Sequence, residues 1–561
     1  MIKFDRAHVS EITLTAVLVD KFSADPDDLI FSLVSADGNI HDVTNEVLQG
    51  RVFDFAARFG AAGNERKIVI ICLYNCVDLY AAFLGAVWSG HIPTLLSPPS
   101  PRMEAGKYHA GLDSMLSTIA AGLLVTDRDI VARLEFEDRL RTSEAEIVYV
   151  DDVSAGPPTP FWPADADDVL LLQHSSGTTG SQKGVALSHR AVMAHNQAYG
   201  RRIGLTPDDR VVSWLPLYHD MGLIACFLFP FVGGAPFLSI SPFDWVTNPV
   251  RLFDVISHVK ATLCWMPNFA FSFMAESILD SQLRDDLDLR SIRAWINSSE
   301  PVFATSLEAF VRRFARLGVR AEQLTSSYAM AENVYAVSQS LPGRQSVLGI
   351  DRRIFIDQHR IVPVAGNDAM ALVSNGPVVD GTEVATLDDA DQILGPGYVG
   401  QLAIRGDYLF SGYFRREDET ARAMTADGWF RTGDLGFVHD GELYVTGRLK
   451  DLVIVQGRNF YPGDIEAVVG RIDCVVSGRV VAFGVPDEFL GTEKLVILAE
   501  ETDSPINSSN ETVREIRRQV AQELDCVPGV VRIVPARWIV KSTSGKLARS
   551  ENSEKYLRQF V

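Results

Sequence analysis

The chain has 561 residues, of which 47% are hydrophobic and 22% charged: too apolar for a disordered chain and too long for a single hydrophobic core. Its 52 Lys+Arg against 72 Asp+Glu leave a formal charge of −20, which repels a nucleic-acid backbone, so no nucleic-acid partner is expected. Six sparse cysteines in apolar runs suggest buried thiols in a reducing, cytoplasmic setting rather than a disulfide or zinc framework.

The N-terminal residues MIKFDRAHVSEITL lack the apolar stretch of a secretory signal. KIVIICL (67–73) predicts a strand and DLYAAFLGAVWSG a helix. GLLVTD (122–127), EIVYVDD (146–152) and VLLLQHSS (169–176) predict further buried strands. SHRAVMAHNQAYGRRIG predicts a helix with Ser188 as its N-cap and Gly204 as its stop. RVVSWLP, APFLSI, ATLCWMP and RAWINSS continue the pattern, and continuous apolar strands between helices point to parallel sheets covered on both faces. Met221 to Phe243 carries no charge and is long enough to cross a bilayer, but Pro230, Gly233, Gly234, Pro236 and Pro242 interrupt it. The expected form is a short helix, a turn and a strand from Pro236 to Ile240, with no membrane span. EAFVRRFARLG has helical spacing and ends at Gly318. RRIFIDQHRIVPV (352–364) interleaves β-branched, aromatic and polar residues, as in a hairpin with a buried face.

Beyond Gly447 the elements shorten. DIEAVVGRI and ETVREIRRQVAQELD predict helices; RVVAFGVP, KLVILAE and VRIVPARWIV predict strands; 501–510 reads as a polar surface loop. This is an α+β unit of about a hundred residues, an ordinary domain size.

The most informative stretch joins a predicted strand to a predicted helix: Ser175, Ser176, Gly177, Thr178, Thr179, Gly180, Ser181, Gln182, Lys183, Gly184. Its glycines let backbone N–H groups close on an anion, its hydroxyls add neutral donors, and Lys183 adds a cation. The chemistry suits a polyphosphate. The loop is not that of P-loop NTPases, because Gly184 stands where the metal-binding Ser or Thr would follow the lysine.

That loop resembles the signature of the adenylate-forming superfamily, which includes acyl-CoA synthetases, fatty acyl-AMP ligases, peptide-synthetase adenylation domains and luciferases. Further stretches match in the expected order: Asn297-Ser298-Ser299-Glu300-Pro301, Tyr328-Ala329-Met330-Ala331-Glu332, Tyr413-Phe414, Arg431-Thr432-Gly433-Asp434, Gly447-Arg448-Leu449-Lys450-Asp451, and Lys541 to Lys546. The resemblance covers nearly the whole chain. It implies an α/β fold: a large N-terminal domain (1–446) of mixed sheets flanked by helices, a hinge (447–450), and a small mobile α+β domain (451–561).

The implied reaction joins a carboxylate to ATP, giving an acyl-AMP and pyrophosphate, with Mg²⁺ as the metal. The resemblance assigns nucleotide binding to Ser175–Gly180, Lys183, Ser299, Glu300, Pro301, Tyr328 (stacked on adenine), Ala329 and Met330. Asp434 and Arg448 would hold the ribose, and Glu332 and Thr178 the metal. Lys546 would be the catalytic lysine of the small domain and Lys450 the hinge residue. His219, in the WLPLYHDMG segment (214–222), would gate the carboxylate pocket. Phe227 to Phe231 and Trp265 to Phe269 would suit either an acyl pocket or ordinary core. Ala331 replaces the threonine common before the glutamate.

Two branches of the superfamily compete. A fatty acyl-AMP ligase hands its acyl group to the phosphopantetheine thiol of an acyl carrier protein; an acyl-CoA synthetase uses free coenzyme A. PLYHDMGLI, the Tyr-Pro of GRNFYPGDIE (457–466), and the 42 residues 333–374 all resemble the first. The last is longer than the equivalent stretch of typical CoA synthetases and is expected to pack on the large domain.

Overall fold

The computed structural model describes residues 12–560, apart from 64, 100–107, 110, 111, 113, 114, 117, 118, 120, 134–144, 157–158, 175–182, 367–368, 456–457, 488–491, 503–508, 525 and 543–544. Two large sheets form the N-terminal part. The first has eight strands, in the order Ala336–Gln339, Leu324–Ala329, Ala294–Asn297, Leu263–Met266, Val211–Ser213, Phe237–Ile240, Leu29–Val34, Ile40–Thr44. The second has seven: Gly412–Tyr413, Gly184–Ser188, Val169–His174, Ile92–Leu95, Ile68–Cys72, Leu123–Thr126, Glu146–Tyr149. The central strands are parallel, as their unbroken apolar runs predict. The edges make the sheets mixed, as the resemblance implies: Ala336–Gln339, Ile40–Thr44, Gly184–Ser188 and Gly412–Tyr413 pair antiparallel.

One continuous core spans both sheets and the helices between them. The helix His189–Ile203 begins where Ser188 Oγ accepts from the Ala191 N–H at 3.1 Å and ends at Gly204 with φ 65°. The uncharged stretch is a π-helical segment (Met221–Leu228), a short helix (Phe229–Gly233) and a strand (Phe237–Ile240). No helix among the described residues is long and apolar enough to cross a membrane.

An antiparallel sheet of Thr382–Leu387, Gly400–Gly406, Phe430–His439 and Glu442–Arg448 follows. The C-terminal unit has its own core, built on the strands Val475–Asp487, Thr492–Glu501 and Val530–Val534 and on three helices: Pro462–Val469, Ser509–Leu524 and Arg549–Phe560. The strand predicted over VRIVPARWIV ends at Val534, and most of the predicted loop 501–510 lies outside the described residues.

The segment 352–364 is not a hairpin. Asp351 Oδ1 accepts from the Ile354 N–H at 2.9 Å and starts a helix, Arg352–Gln358, that ends at His359 with φ 50°. Phe355 and Ile356 are both buried; neighbouring buried residues suit a helix face and break a strand's alternation. The pairing that does occur is between Val347–Ile350 and Met370–Val373, which close the helix into a compact excursion.

Candidate active site

Strand ends and the turns after them bring most of the predicted residues together. Asp434 and Arg448 face each other in register across two adjacent strands. Asp434 Oδ1 lies 3.2 Å from Arg448 Nε, and its Oδ2 accepts from the Tyr328 hydroxyl at 2.6 Å. Tyr328 thus enters this geometry first through its hydroxyl, and its ring belongs to the core. Asp434's charge holds the Arg448 guanidinium above its usual range.

Glu332 follows Tyr328 by four residues, in a tight turn after the same strand; its Oε1 accepts from the Tyr413 hydroxyl at 2.9 Å. Burial pushes its carboxyl up. Val334, two residues on, has φ 63°, a strained conformation for a β-branched residue. Among the described residues no three His, Cys, Asp or Glu side chains converge as a metal cage. Glu332 suits Mg²⁺ in another way, as one carboxylate that leaves the other positions to phosphate oxygens and water.

Of the predicted phosphate loop, Ser175, Ser176, Gly177, Thr178, Thr179 and Gly180 lie outside the described residues. Lys183 at its end is described. Its Nζ pairs with Glu419 Oε2 at 2.8 Å and lies 4.5 Å from the centre of the Tyr413 ring. Arg416 Nη1 holds the other oxygen of Glu419 at 2.7 Å. On the strand before the loop, both ring nitrogens of His174 and Oε1 of Gln173 are buried with no hydrogen-bond partner among the described residues. Gln173 Nε2 donates to the Tyr218 carbonyl at 3.0 Å, tying that strand to the His219 segment.

His219 has a buried Nε2 without a partner among the described residues, and burial together with the Lys546 charge lowers its pKa to about 3, so the ring is neutral. The next residues pack so tightly that a Cβ on Gly222 would lie 2.1 Å from the Pro216 carbonyl oxygen, so only glycine fits. Ser299 has φ 71°, and its Oγ lies 3.9 Å from Met221 Sδ. Glu300 Oε2 accepts from the Phe269 N–H at 2.9 Å, at the start of the helix Asn268–Ser277. Pro301 follows the strand Ala294–Asn297, Ala329 ends the strand Leu324–Ala329, and Met330 follows it.

Lys546 comes from the C-terminal unit into this cluster. Burial pushes its ammonium down, and Asp220 and Glu300 pull it back up. Burial likewise raises the carboxyls of Asp220 and Glu300, with the Lys546 charge opposing. Lys450 lies in a short turn, Leu449–Asp451, between the last strand of the antiparallel sheet and the C-terminal unit.

Sequence alone assigns no role to Asp220, Glu419 or Tyr413. Asp220 is adjacent to His219 and Tyr413 stands in a matched motif, so both were within reach. Glu419 lies in the first turn of an acidic helix, Glu417–Ala423, and nothing in the sequence ties it to Lys183.

These features define an AMP-binding enzyme: the family model of that description matches residues 24–414, and the chain belongs to this adenylate-forming ligase family. Among its relatives, the long-chain-fatty-acid–AMP ligase FadD28 of Mycobacterium tuberculosis is 30% identical over 551 residues, 93% of each chain. The medium-chain-fatty-acid–[acyl-carrier-protein] ligase JamA of Moorena producens is 31% identical, covering 88% of this chain and 86% of JamA. A putative acyl-CoA synthetase of Caulobacter vibrioides is also 31% identical, over 86% and 84%. A structure from a study of fatty acyl-adenylate ligases of E. coli and L. pneumophila superposes with a TM-score of 0.90 at 25% identity, over 98% of both chains.

Proposed function

We propose that this protein adenylates a fatty acid with ATP and passes the acyl group to the phosphopantetheine thiol of an acyl carrier protein. The observation that carries the first step is the burial of Lys546, from the C-terminal unit, within electrostatic reach of Asp220, Glu300, Asp434 and Arg448, with the adjacent Gly545 packed on Phe269. A fatty carboxylate is ionised at neutral pH, so no base is required. The barrier is the approach of one anion to another, which calls for cations and fixed donors.

An oxygen of the carboxylate bonds to the α-phosphorus; the bond from that phosphorus to the bridging oxygen breaks, and pyrophosphate leaves with the electron pair. Residues 175–180 and Lys183 hold the outgoing phosphates, and Lys183 leaves Glu419 to do so. Asp434 and Arg448 hold the ribose, while Ser299–Pro301 and Tyr328–Met330 border the base. Glu332, with Thr178, would hold Mg²⁺, which supplies charge neutralisation between the phosphates. Neutral His219 stands at the mouth of the carboxylate pocket, and Lys546 bridges the incoming carboxylate and the α-phosphate.

In the second step the thiol displaces AMP after residues 451–561 pivot about 447–450. The carrier protein is favoured as acceptor by the excursion 347–373. Its Phe355 stacks on Tyr461 of the Tyr-Pro motif at 5.3 Å. Asp357 pairs with Arg458 at 2.9 Å, His359 contacts Asn459 at 3.2 Å, and Arg352 donates to the Glu523 carbonyl. These contacts oppose the pivot, and a carrier protein brings docking energy to offset them where free CoA does not. JamA is named as a ligase of this kind. The alternative acceptor is CoA, as in the Caulobacter relative's name. Pyrophosphate release across fatty, hydroxy and aromatic acids, without and then with CoA, tests the reading. Release that needs an acid but not CoA supports it; no acid-dependent release contradicts it.

A further inference from the structure

The described residues of the Lys546 loop, 541, 542 and 545–547, are tied to one another. Lys541 bridges to Leu547 across its neck, and the Ser542 N–H donates to the Lys546 carbonyl at 2.7 Å. The Gly545 N–H donates to the Ser542 carbonyl at 2.9 Å, and the Lys546 N–H to Ser542 Oγ at 3.2 Å. These bonds fix Lys546 to Lys541, Ser542 and Gly545, so the position of the Lys546 ammonium depends on what those residues rest on.

It rests on Phe269. Gly545 has φ 84°, and a Cβ there would lie 2.8 Å from Phe269 Cζ, so the loop backbone is flush against the ring. The Lys541 ammonium lies 5.6 Å from the centre of the same ring. Phe269 itself is fixed from below. Its N–H is held by Glu300, and its ring meets Trp214 edge-on at 6.2 Å and Trp245 at 6.4 Å. Those two indoles are buried and stacked on each other at 3.6 Å. One turn and two turns further along the same helix face, Phe273 packs on Trp245, and Glu276 faces Ser477 and Lys541 of the C-terminal unit.

We infer that Phe269 is a positioning residue: a rigid aromatic seat, braced by the Trp214–Trp245 stack, that receives Gly545 and Lys541 and thereby sets Lys546 for adenylation. The inference rests on the adenylation reading and assigns Phe269 to loop placement rather than to an acyl pocket. It also separates the two half-reactions. The seat matters only while the loop occupies it, so transfer of a preformed acyl-AMP to a thiol should be spared.

The test compares Phe269→Ala, Phe269→Tyr, Gly545→Ala and the double variant Phe269→Ala/Gly545→Ala. Acid-dependent ATP–pyrophosphate exchange should fall about 10–100-fold in kcat for Phe269→Ala, the scale of a small misplacement, with KM for ATP changed little. Phe269→Tyr keeps the ring and should recover most of the rate. Gly545→Ala should lose a similar amount, and the double variant should be no slower than the slower single one, because both substitutions break one contact. Transfer from supplied acyl-AMP to a holo carrier protein should be within about twofold of wild type in Phe269→Ala. Wild-type exchange in Phe269→Ala, or losses that multiply in the double variant, would overturn the inference. Tryptic cleavage after Lys541 and Lys546, measured with ATP present, judges the seat without turnover: Phe269→Ala should be cut faster, and equal rates would also overturn it. Absence of exchange in the wild type would instead overturn the adenylation reading and leave the seat to the protease result.

Discussion

Replacing Asp434 by Ala should remove the enzyme's ability to distinguish ATP from 2′-deoxy-ATP. Asp434 accepts from Tyr328 through Oδ2 and faces Arg448 through Oδ1, and each carboxylate oxygen has a second lone pair for a ribose hydroxyl. A hydrogen bond to a charged acceptor is worth about 1.5–3 kcal/mol, so wild type should bind 2′-deoxy-ATP about 10- to 140-fold more weakly than ATP. The variant lacks the acceptor and should show a ratio near one. Its affinity for ATP itself should fall as well, because the acceptor for the ribose hydroxyls is gone, and the Tyr328 hydroxyl loses its Asp434 acceptor, which lowers folding stability. Titration calorimetry with both nucleotides, in the absence of acid, reads the two ratios directly. Equal discrimination by wild type and variant would remove Asp434 from the ribose site.

Lys546→Ala should lower acid-dependent pyrophosphate exchange by at least ~10²–10³-fold while ATP binding stays nearly intact, because its charge is needed as charge shifts in the transition state; unchanged exchange would refute the role. Replacing 352–368 by a short turn between the paired strands Val347–Ile350 and Met370–Val373 should raise acyl-CoA formation, read as thioester per acyl-AMP consumed; no rise would refute the restraint. Asp464, facing Arg352 and Glu466, has its pKa pushed up by burial from 3.8 to about 6. The folded state therefore binds this proton more tightly than the unfolded chain, and stability is lost as pH rises from about 4 to about 6. Asp464→Asn should then be more stable than wild type at pH 7, by roughly 1–3 kcal/mol in urea unfolding, and should converge with it near pH 4.

Much of this architecture is legible in the sequence because burial on both faces of a parallel sheet writes an unbroken apolar run. Ile68–Cys72 and Leu263–Met266 are such runs, and both are strands. Caps read equally well: Ser188 and Gly204 bound their helix because a side-chain oxygen and a left-handed glycine each satisfy a definite backbone need. The antiparallel edge strand Gly184–Ser188 was missed because it follows the phosphate loop directly, where loop chemistry dominates the reading. Residues 352–358 read as a strand because Phe355 between two isoleucines suggests one, whereas a single Asp351 hydrogen bond starts a helix. At the site, motif residues such as Asp434 and Arg448 announce themselves. Partners distant in sequence do not: the pairing of Glu419 with Lys183, and the contact of Phe269 with Gly545 276 residues later, are decided by packing.

The central claim is most directly tested by supplying the purified protein with ATP, Mg²⁺ and a fatty acid, and offering holo acyl carrier protein and CoA in competition. The account predicts acyl-AMP before any acceptor is added, then predominant loading of the carrier with little acyl-CoA. Efficient acyl-CoA synthesis at cellular CoA levels, with the carrier left unloaded, would contradict it.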